Sequence, residues 1–221
     1  MHRGSYGMAP MDTHLRTLCQ RLPELQDVAA DIQTAAACCI AAFRAGGTLY
    51  LCGNGGSFSD AEHIAGELMK GFLRRRPLPA AEQELLRADH GDDGILLARA
   101  LQGGLRAVVL GAERSLSTAV GNDNDPALIF AQPLYALSRP GDVLLGLSTS
   151  GNARNVALAC QVARCRGLRT IGLTGRSGGR LRQLSDLCIR VPADETYRVQ
   201  ELHVAVYHCL CAMLEEAFFS E

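Results

Sequence analysis

The sequence predicts an α/β fold: a doubly wound, parallel five-stranded sheet with flanking helices, preceded by an N-terminal helical hairpin. Most of five short runs are continuously apolar rather than alternating, as in parallel strands buried on both faces. Helical segments separate the runs, the order that puts helices on both sides of a sheet. Three of the runs end in loops of small residues, and ligands in open parallel sheets bind beyond the carboxyl ends of strands.

The helical pattern begins at Met11 and continues to Phe43. Leu15, Leu18, Cys19 and Leu22 form one apolar stripe, Pro23 interrupts it, and Val28, Ile32, Ala36, Cys39 and Ile40 resume it. This segment, residues 1–45, precedes every ligand motif, so packing is its expected role, against the domain over 46–221 or against a second copy. The first strand, Thr48–Cys52, is bounded by Gly46-Gly47. It leads into Gly53-Asn54-Gly55-Gly56-Ser57, and the following stretch to Met69 reads as a helix capped by Ser59 or Asp60. Strand, glycine turn and helix in that order aim backbone N–H groups at an anion. His63 and Glu67, four residues apart, share one face of that helix beside the turn.

Ala80 to Leu105 reads as one or two amphipathic helices, broken at Gly91 to Gly94 and ending in Gly103-Gly104. The second strand is Arg106–Leu110. The third, Val143–Leu147, enters Ser148-Thr149-Ser150-Gly151-Asn152 and then a helix over Asn155–Cys165. The fourth, Thr170–Leu173, enters Thr174-Gly175-Arg176-Ser177-Gly178-Gly179, and the fifth is Leu187–Val191. Hydroxyls and backbone N–H groups with little side-chain bulk suit a phosphate. One such loop is weak evidence; three on one rim are strong. The last helix, Tyr197–Phe218, carries Gln200, Glu201, His203 and His208 among Val199, Leu202, Val206, Leu210 and Leu214. A lone histidine there is more often a satisfied, partly buried side chain than a ligand. Spacing alone favours Glu201 over Gln200 as the partner of His208, because residues seven apart nearly eclipse.

The 221 residues can bury a full core without staples. With 22 Lys and Arg against 23 Asp and Glu, the chain has no bulk attraction to nucleic acid or to anionic membrane. Arg74-Arg75-Arg76 is the only basic run and reads as a solvated rim, the alternative being an anionic ligand or a neighbouring subunit. No apolar run approaches the roughly 20 residues of a bilayer span, and Met1 to Asp12 lacks an apolar core of signal-peptide length. A soluble, cytoplasmic protein is expected. The nine cysteines contain no Cys-x-x-Cys pair and read as reduced core thiols.

These motifs together carry a resemblance. Gly53-Asn54-Gly55-Gly56-Ser57, Asp60-Ala61-Glu62-His63, Glu67, Asn122-Asp123, Gly141 to Leu145, Ser148 to Asn152, Leu173-Thr174-Gly175 and Val199 to His203 follow in order. The chain resembles the bacterial phosphoheptose isomerases, sugar-isomerase (SIS) domain enzymes that convert sedoheptulose 7-phosphate to D-glycero-D-manno-heptose 7-phosphate. The resemblance covers about Thr13 to Phe218. It implies one zinc ion per subunit on His63, Glu67, Gln200 and His208, which overrules the spacing-based choice of Glu201 and leaves that residue to an ion pair or a subunit contact. Substrate contacts are implied at Asn54, Gly55, Gly56, Glu67, Asn122, Asp123, Ser148, Thr149, Ser150 and Gln200, and Ser57 is expected to join the phosphate site. Three departures stand out. Ala153 replaces a usual serine, Tyr197 a frequent aspartate, and the helical stretch at about 80–105 is an insertion.

Aldose–ketose isomerisation needs a base for the C–H proton, an acid/base for the oxygens and a group that stabilises an enediol(ate). Glu67 is expected as the base and His208 as the acid/base, with a metal as Lewis acid. Two other functions fit a SIS module: a sugar-phosphate-binding regulator or replication-initiator-binding protein without catalysis, and an isomerase of another phosphosugar. The complete set of four candidate ligands argues against the first; the insertion and Ala153 keep the second open. The resemblance further implies a homotetramer with pockets shared between subunits. Ile32, Ala36 and Ile40, with Val206, Leu210 and Leu214, are the expected contacts between chains.

Overall fold

A computed structural model describes residues 12–219; Met1 to Met11, including the expected helix start at Met11 and most of the stretch read for a signal peptide, lie outside them. Helix α1 (Thr13–Arg21) is capped by the Asp12 carboxylate, which accepts the His14 N–H at 2.7 Å. Pro23 cannot donate to the preceding turn, and the chain passes through a 3-10 turn, Pro23–Val28, into α2 (Ala29–Arg44). The remaining order is β1 (Leu49–Cys52), α3 (Gly56–Met69), α4 (Ala80–Asp89), α5 (Gly91–Ala100), β2 (Ala107–Val109), α6 (Arg114–Asp123), α7 (Ala131–Leu137), β3 (Val143–Ser148), α8 (Arg154–Cys165), β4 (Arg169–Thr174), α9 (Leu181–Leu184), β5 (Leu187–Arg190) and α10 (Thr196–Phe219).

All strand pairs are parallel, in the order β2-β1-β3-β4-β5. β1 and β3 are buried at every position, as their unbroken apolar runs require. One face of the sheet packs against α1, α2, α3 and α10, the other against α7, α8 and α9. The direction in which the strands are laid down reverses between β1 and β3, and the crevice at their carboxyl ends is the expected ligand position.

Several expectations change. α3 starts at Gly56, three residues before Ser59, because Gly55 takes φ +56° and turns the chain into the helix at once. The break in the segment over 80–105 falls at His90, and Gly91 to Gly94 form the first turn of α5. Asp92 and Asp93 support that helix start through its dipole. Arg76 is not a solvated rim residue but is fully buried. Ile32, Ala36, Val206, Leu210 and Leu214 are buried within this one chain, because α10 lies across α1, α2 and α3; only Ile40 keeps part of its surface. α10 is long and apolar enough to cross a membrane by length and composition, contrary to the sequence reading, and 61% of that window is buried inside the domain. All nine cysteines are free, but Cys165 is exposed rather than in the core.

Candidate active site

The loops after β1 and β3 meet at the crevice. Asn54 and Asn155 exchange two amide hydrogen bonds, of 2.9 and 2.8 Å, across it. Gly55 precedes α3 and Ala153 precedes α8, and neither helix has a side-chain cap. Two helix N-termini therefore face the same crevice with their positive dipole ends free of an internal anion. Ser57 is buried in the first turn of α3 and Ser148 is buried at the end of β3. Thr149 accepts the Gly175 N–H through its carbonyl at 2.9 Å, which ties this loop to the one after β4. Ser150 Oγ accepts the Asn152 N–H at 3.2 Å. Gln200, on the second turn of α10, rests its amide against Gly56, where any Cβ would collide with it. A side chain at 56 would displace the flexible Gln200 amide from this position.

A second group lies where α3 crosses α10. His63 Nε2 stands 3.2 Å from Glu67 Oε1 and 3.5 Å from His208 Nε2. Glu67 Oε2 takes Lys70 Nζ at 3.4 Å. His208 stacks on Phe72, ring centroids 5.6 Å apart, and sits edge-on to His63 and to Tyr207. Partial burial, then the neighbouring His63, hold the His208 pKa below the ordinary histidine value, against the pull of Glu67. His63 Nδ1 lies 2.9 Å from the Tyr207 hydroxyl, which donates to Asp60 Oδ1 at 3.3 Å. Burial, then Asp60, push the Tyr207 pKa up, so the phenol keeps its proton at neutral pH.

The fit of a metal ion can be judged from these distances. In a tetrahedral site with metal–ligand bonds of roughly 2.0–2.1 Å, neighbouring donors stand roughly 3.3 Å apart. The separations from His63 to Glu67 and from His63 to His208 match that edge. Among the described residues no group of three or more His, Cys, Asp or Glu is placed so that it could hold a metal ion. Gln200 is not joined to the trio by a hydrogen bond. Gly56, which it touches, lies about 10 Å along the α3 axis from His63. Two imidazoles and a carboxylate are donor types that zinc takes, but they are not assembled into a metal site in this structure, and Gln200 stands apart from them.

Other predicted residues fall elsewhere. Asn122 donates to Asp123 at 2.8 Å at the end of α6, which packs on the turn Pro126–Leu128. Neither residue is hydrogen-bonded to the trio. Glu201 pairs with Arg198 at 2.7 Å. A groove of about 470 Å³ opens beside His208, lined also by His14, Arg21, Phe72 and Glu201. A cavity of about 520 Å³ lies at the amino ends of β1, β2 and β3, beside Thr48, Arg106 and Asp142, the wrong end of the sheet for the ligand of such a fold. Sequence reading missed Asn155 and Tyr207. Asn155 sits three residues beyond the loop motif, a signal that was available. Tyr207 meets His63 across 144 positions, for which no local pattern exists.

Two SIS-domain family models match, one over residues 14–101 and one over residues 122–215. A phosphoheptose isomerase of Rhodospirillum rubrum is 40% identical over 215 residues, 95% of this chain and all of that protein. One of Akkermansia muciniphila is 37% identical over 195 residues, 88% of this chain and 89% of that protein. The chain belongs to the phosphoheptose isomerase family. The solved phosphoheptose isomerase of Francisella tularensis superposes with a TM-score of 0.71 at 28% identity, covering 95% of this chain and all of that one. The parallel five-stranded sheet is accordingly the SIS fold of this family.

Proposed function

We propose that this protein isomerises sedoheptulose 7-phosphate to D-glycero-D-manno-heptose 7-phosphate in the cytoplasm, as a zinc-dependent homotetramer. The observation that carries the reading is the approach of Glu67 and His208 to His63, at 3.2 and 3.5 Å, on helices that also reach the crevice. The phosphate is assigned to the N-termini of α3 and α8, to Ser57 and to Ser148, Thr149 and Ser150. Asn54, Gly55, Gly56 and Gln200 then face the sugar.

In the reaction C1 loses a proton and C2 gains one, while a hydroxyl proton passes from O1 to O2. Glu67 accepts the C1 proton and returns it to C2; Lys70 on Oε2 leaves Oε1 on the side of the histidines. His208, held with a lowered pKa, exchanges the proton of the oxygens. His63, Glu67 and His208 would hold the zinc ion, and the family pattern adds Gln200 as the fourth donor. When bound, the ion supplies Lewis-acid polarisation of the carbonyl, worth several kcal/mol. Asn122 and Asp123, not hydrogen-bonded to the trio, are assigned to the pocket of a neighbouring subunit, with closed dihedral symmetry for the four chains.

The test is a panel of ketose phosphates offered to the zinc-loaded protein, with aldose formation followed directly. The heptulose 7-phosphate should be the best substrate. Turnover confined to a pentulose or hexulose phosphate would move the assignment to another sugar, and no turnover on any member would reject catalysis.

A further inference from the structure

The apolar residues expected between chains are mostly buried inside the domain, but another apolar surface is not. Helices α4 and α5 pack chiefly on each other. They join the domain at their base, through the bridge of Pro77 with Gln102 and the Gly103 N–H on the Arg76 carbonyl at 2.7 Å. Within α5 only Gly94 and Ala98 are buried, Gly94 lying against the Leu86 backbone of α4. Leu85, Ile95, Leu96, Leu97 and Leu101 each keep a third or more of their surface exposed. Ile95, Leu96 and Leu97 are consecutive, so at about 100° per residue they point to three sides of the helix. A helix that is apolar all round is a covered helix, and α4 covers one side only.

The charges at the ends of this surface select what covers it. Asp92, Ile95, Leu96 and Arg99 follow at i, i+3, i+4 and i+7, one exposed stripe on the side of α5 turned away from Gly94 and Ala98. The stripe is acidic at one end, apolar in the middle and basic at the other. Among the described residues, the side chains of Asp92, Asp93 and Arg99 take part in no ion pair. Laid antiparallel on a second copy, with a two-fold axis between Ile95 and Leu96, the stripe sets Asp92 of each copy opposite Arg99 of the other. Ile95 then meets Leu96, and the opposed helix dipoles add to the match. Such self-complementarity is what an isologous contact requires. An anionic membrane would be repelled, since Glu82, Glu84, Asp89, Asp92 and Asp93 outnumber Arg87 and Arg99 on the two helices.

We propose that α5 is a contact between two copies of this chain, paired antiparallel across Ile95 and Leu96, with Asp92 of each copy on Arg99 of the other. Two helices of 10 residues, each roughly 15 Å long, bury less than the roughly 1,200 Å² of a stable free-standing interface, so this contact acts together with others in the assembly. The inference names one face of the tetramer proposed above, but it requires only that two chains meet there.

Lys70 is the only lysine of the chain, which makes a zero-length cross-link diagnostic. In full-length Arg99→Lys, a carbodiimide should join the introduced amine to Asp92 or Asp93 of another copy and give a covalent dimer, with the joined peptides identified by mass spectrometry. Within one helix Asp92 lies about 10 Å along the axis from position 99, beyond the reach of such a link. Adding Leu96→Glu should remove the dimer; that side chain is half exposed, and thermal melts verify that the fold is kept. In a second arm, Asp92→Arg and Arg99→Asp should each raise the dissociation constant of the assembly by about 10-fold or more in sedimentation runs. Mixing the two variants should restore association, because each reversed charge then meets its opposite across the contact. An effect confined to one helix would not recover on mixing. No covalent dimer, a dimer joined through Lys70 alone, or a mixture no tighter than its components overturns the proposal. So does a chain that floats with neutral phosphatidylcholine vesicles through this face in place of cross-linking, which would hand the surface to a membrane. The cross-link in an assembly of two chains by light scattering would keep this contact and reject the tetramer.

Discussion

Breaking the buried pair between Arg76 and Glu215 should unfold this protein more readily than any surface substitution, and should disturb the candidate site with it. Both side chains are essentially inaccessible, at 0% and 1%. Arg76 Nε meets Glu215 Oε1 at 2.9 Å, and the rest of the guanidinium donates to the carbonyls of Leu68 at 2.7 Å and Glu67 at 3.1 Å. These carbonyls belong to the last turn of α3, so Arg76 caps the turn that carries Glu67. Its guanidinium also lies 4.4 Å from the ring centroid of Phe219. Glu215 accepts the N–H groups of Phe72 and Leu73, at 2.9 and 2.8 Å, which holds the loop beneath His208. Arg76→Met removes one charge and strands the other in the core, a loss of about 3–5 kcal/mol. For a chain of this size each kcal/mol moves the melting temperature by about 2–4 °C, so a fall of roughly 6–20 °C is expected.

The assay is urea unfolding at fixed protein concentration for wild type, Arg76→Met, Glu215→Leu and the double variant. Each single change should cost more than the other residue's removal adds to it, giving a large coupling energy. Burial alone would raise the Glu215 pKa, but the Phe72 and Leu73 N–H groups and Arg76 outweigh it and hold it below the ordinary value. A depressed carboxyl contributes stability that is present above its unfolded pKa and lost as pH falls through the folded one. The wild type should therefore lose this contribution only in acid, and Glu215→Leu should lack that acid limb. A cost below about 1 kcal/mol for Arg76→Met, the range of an exposed pair, would refute the reasoning.

Other outcomes are expected. Glu67→Gln should keep the fold and lower turnover by about 100-fold or more, with solvent deuterium exchange at the substrate carbon falling in step; turnover within a few-fold of wild type would reduce Glu67 to a ligand. A chelator should remove about one divalent ion per chain together with activity, and His63→Ala with His208→Ala should abolish metal binding; stoichiometric metal in that double variant would sink the site. Ser150→Ala should raise KM by the equivalent of roughly 1–2 kcal/mol, and the non-phosphorylated sugar should bind far more weakly; equal affinity for both sugars would remove the loop from phosphate binding. His203 is fully buried, with ring nitrogens lacking close partners apart from an approach to the Thr174 backbone, and burial lowers its pKa from 6.5 to about 4. The unfolded chain takes up that proton first, so stability should be full above about pH 6.5 and fall, by up to about 3 kcal/mol, on acidification toward pH 4. His203→Leu should flatten that slope, and an unchanged profile would show that His203 is not its source.

The sequence by itself determined the strands, the order of elements and the three loops on one rim. These rest on local chemistry: continuous apolar runs such as Val143–Leu147, and glycine turns such as the one at Gly55, specify strand and turn without reference to distant residues. It also placed His63 and Glu67 on one helix face, since four residues make one turn. Only the tertiary structure decided what each long-range neighbour does. Arg76 read as a basic rim because its partner Glu215 lies 139 positions away. Ile32 and Leu210 read as contacts between chains because nothing local shows that α10 lies across α2. The meeting of His63 with Tyr207 and His208, and the rest of the Gln200 amide on Gly56, come from one crossing of α3 by α10. Periodicity assigns a side chain to a face of its own helix; which helix covers that face, and at which turn, is settled by packing of the whole core.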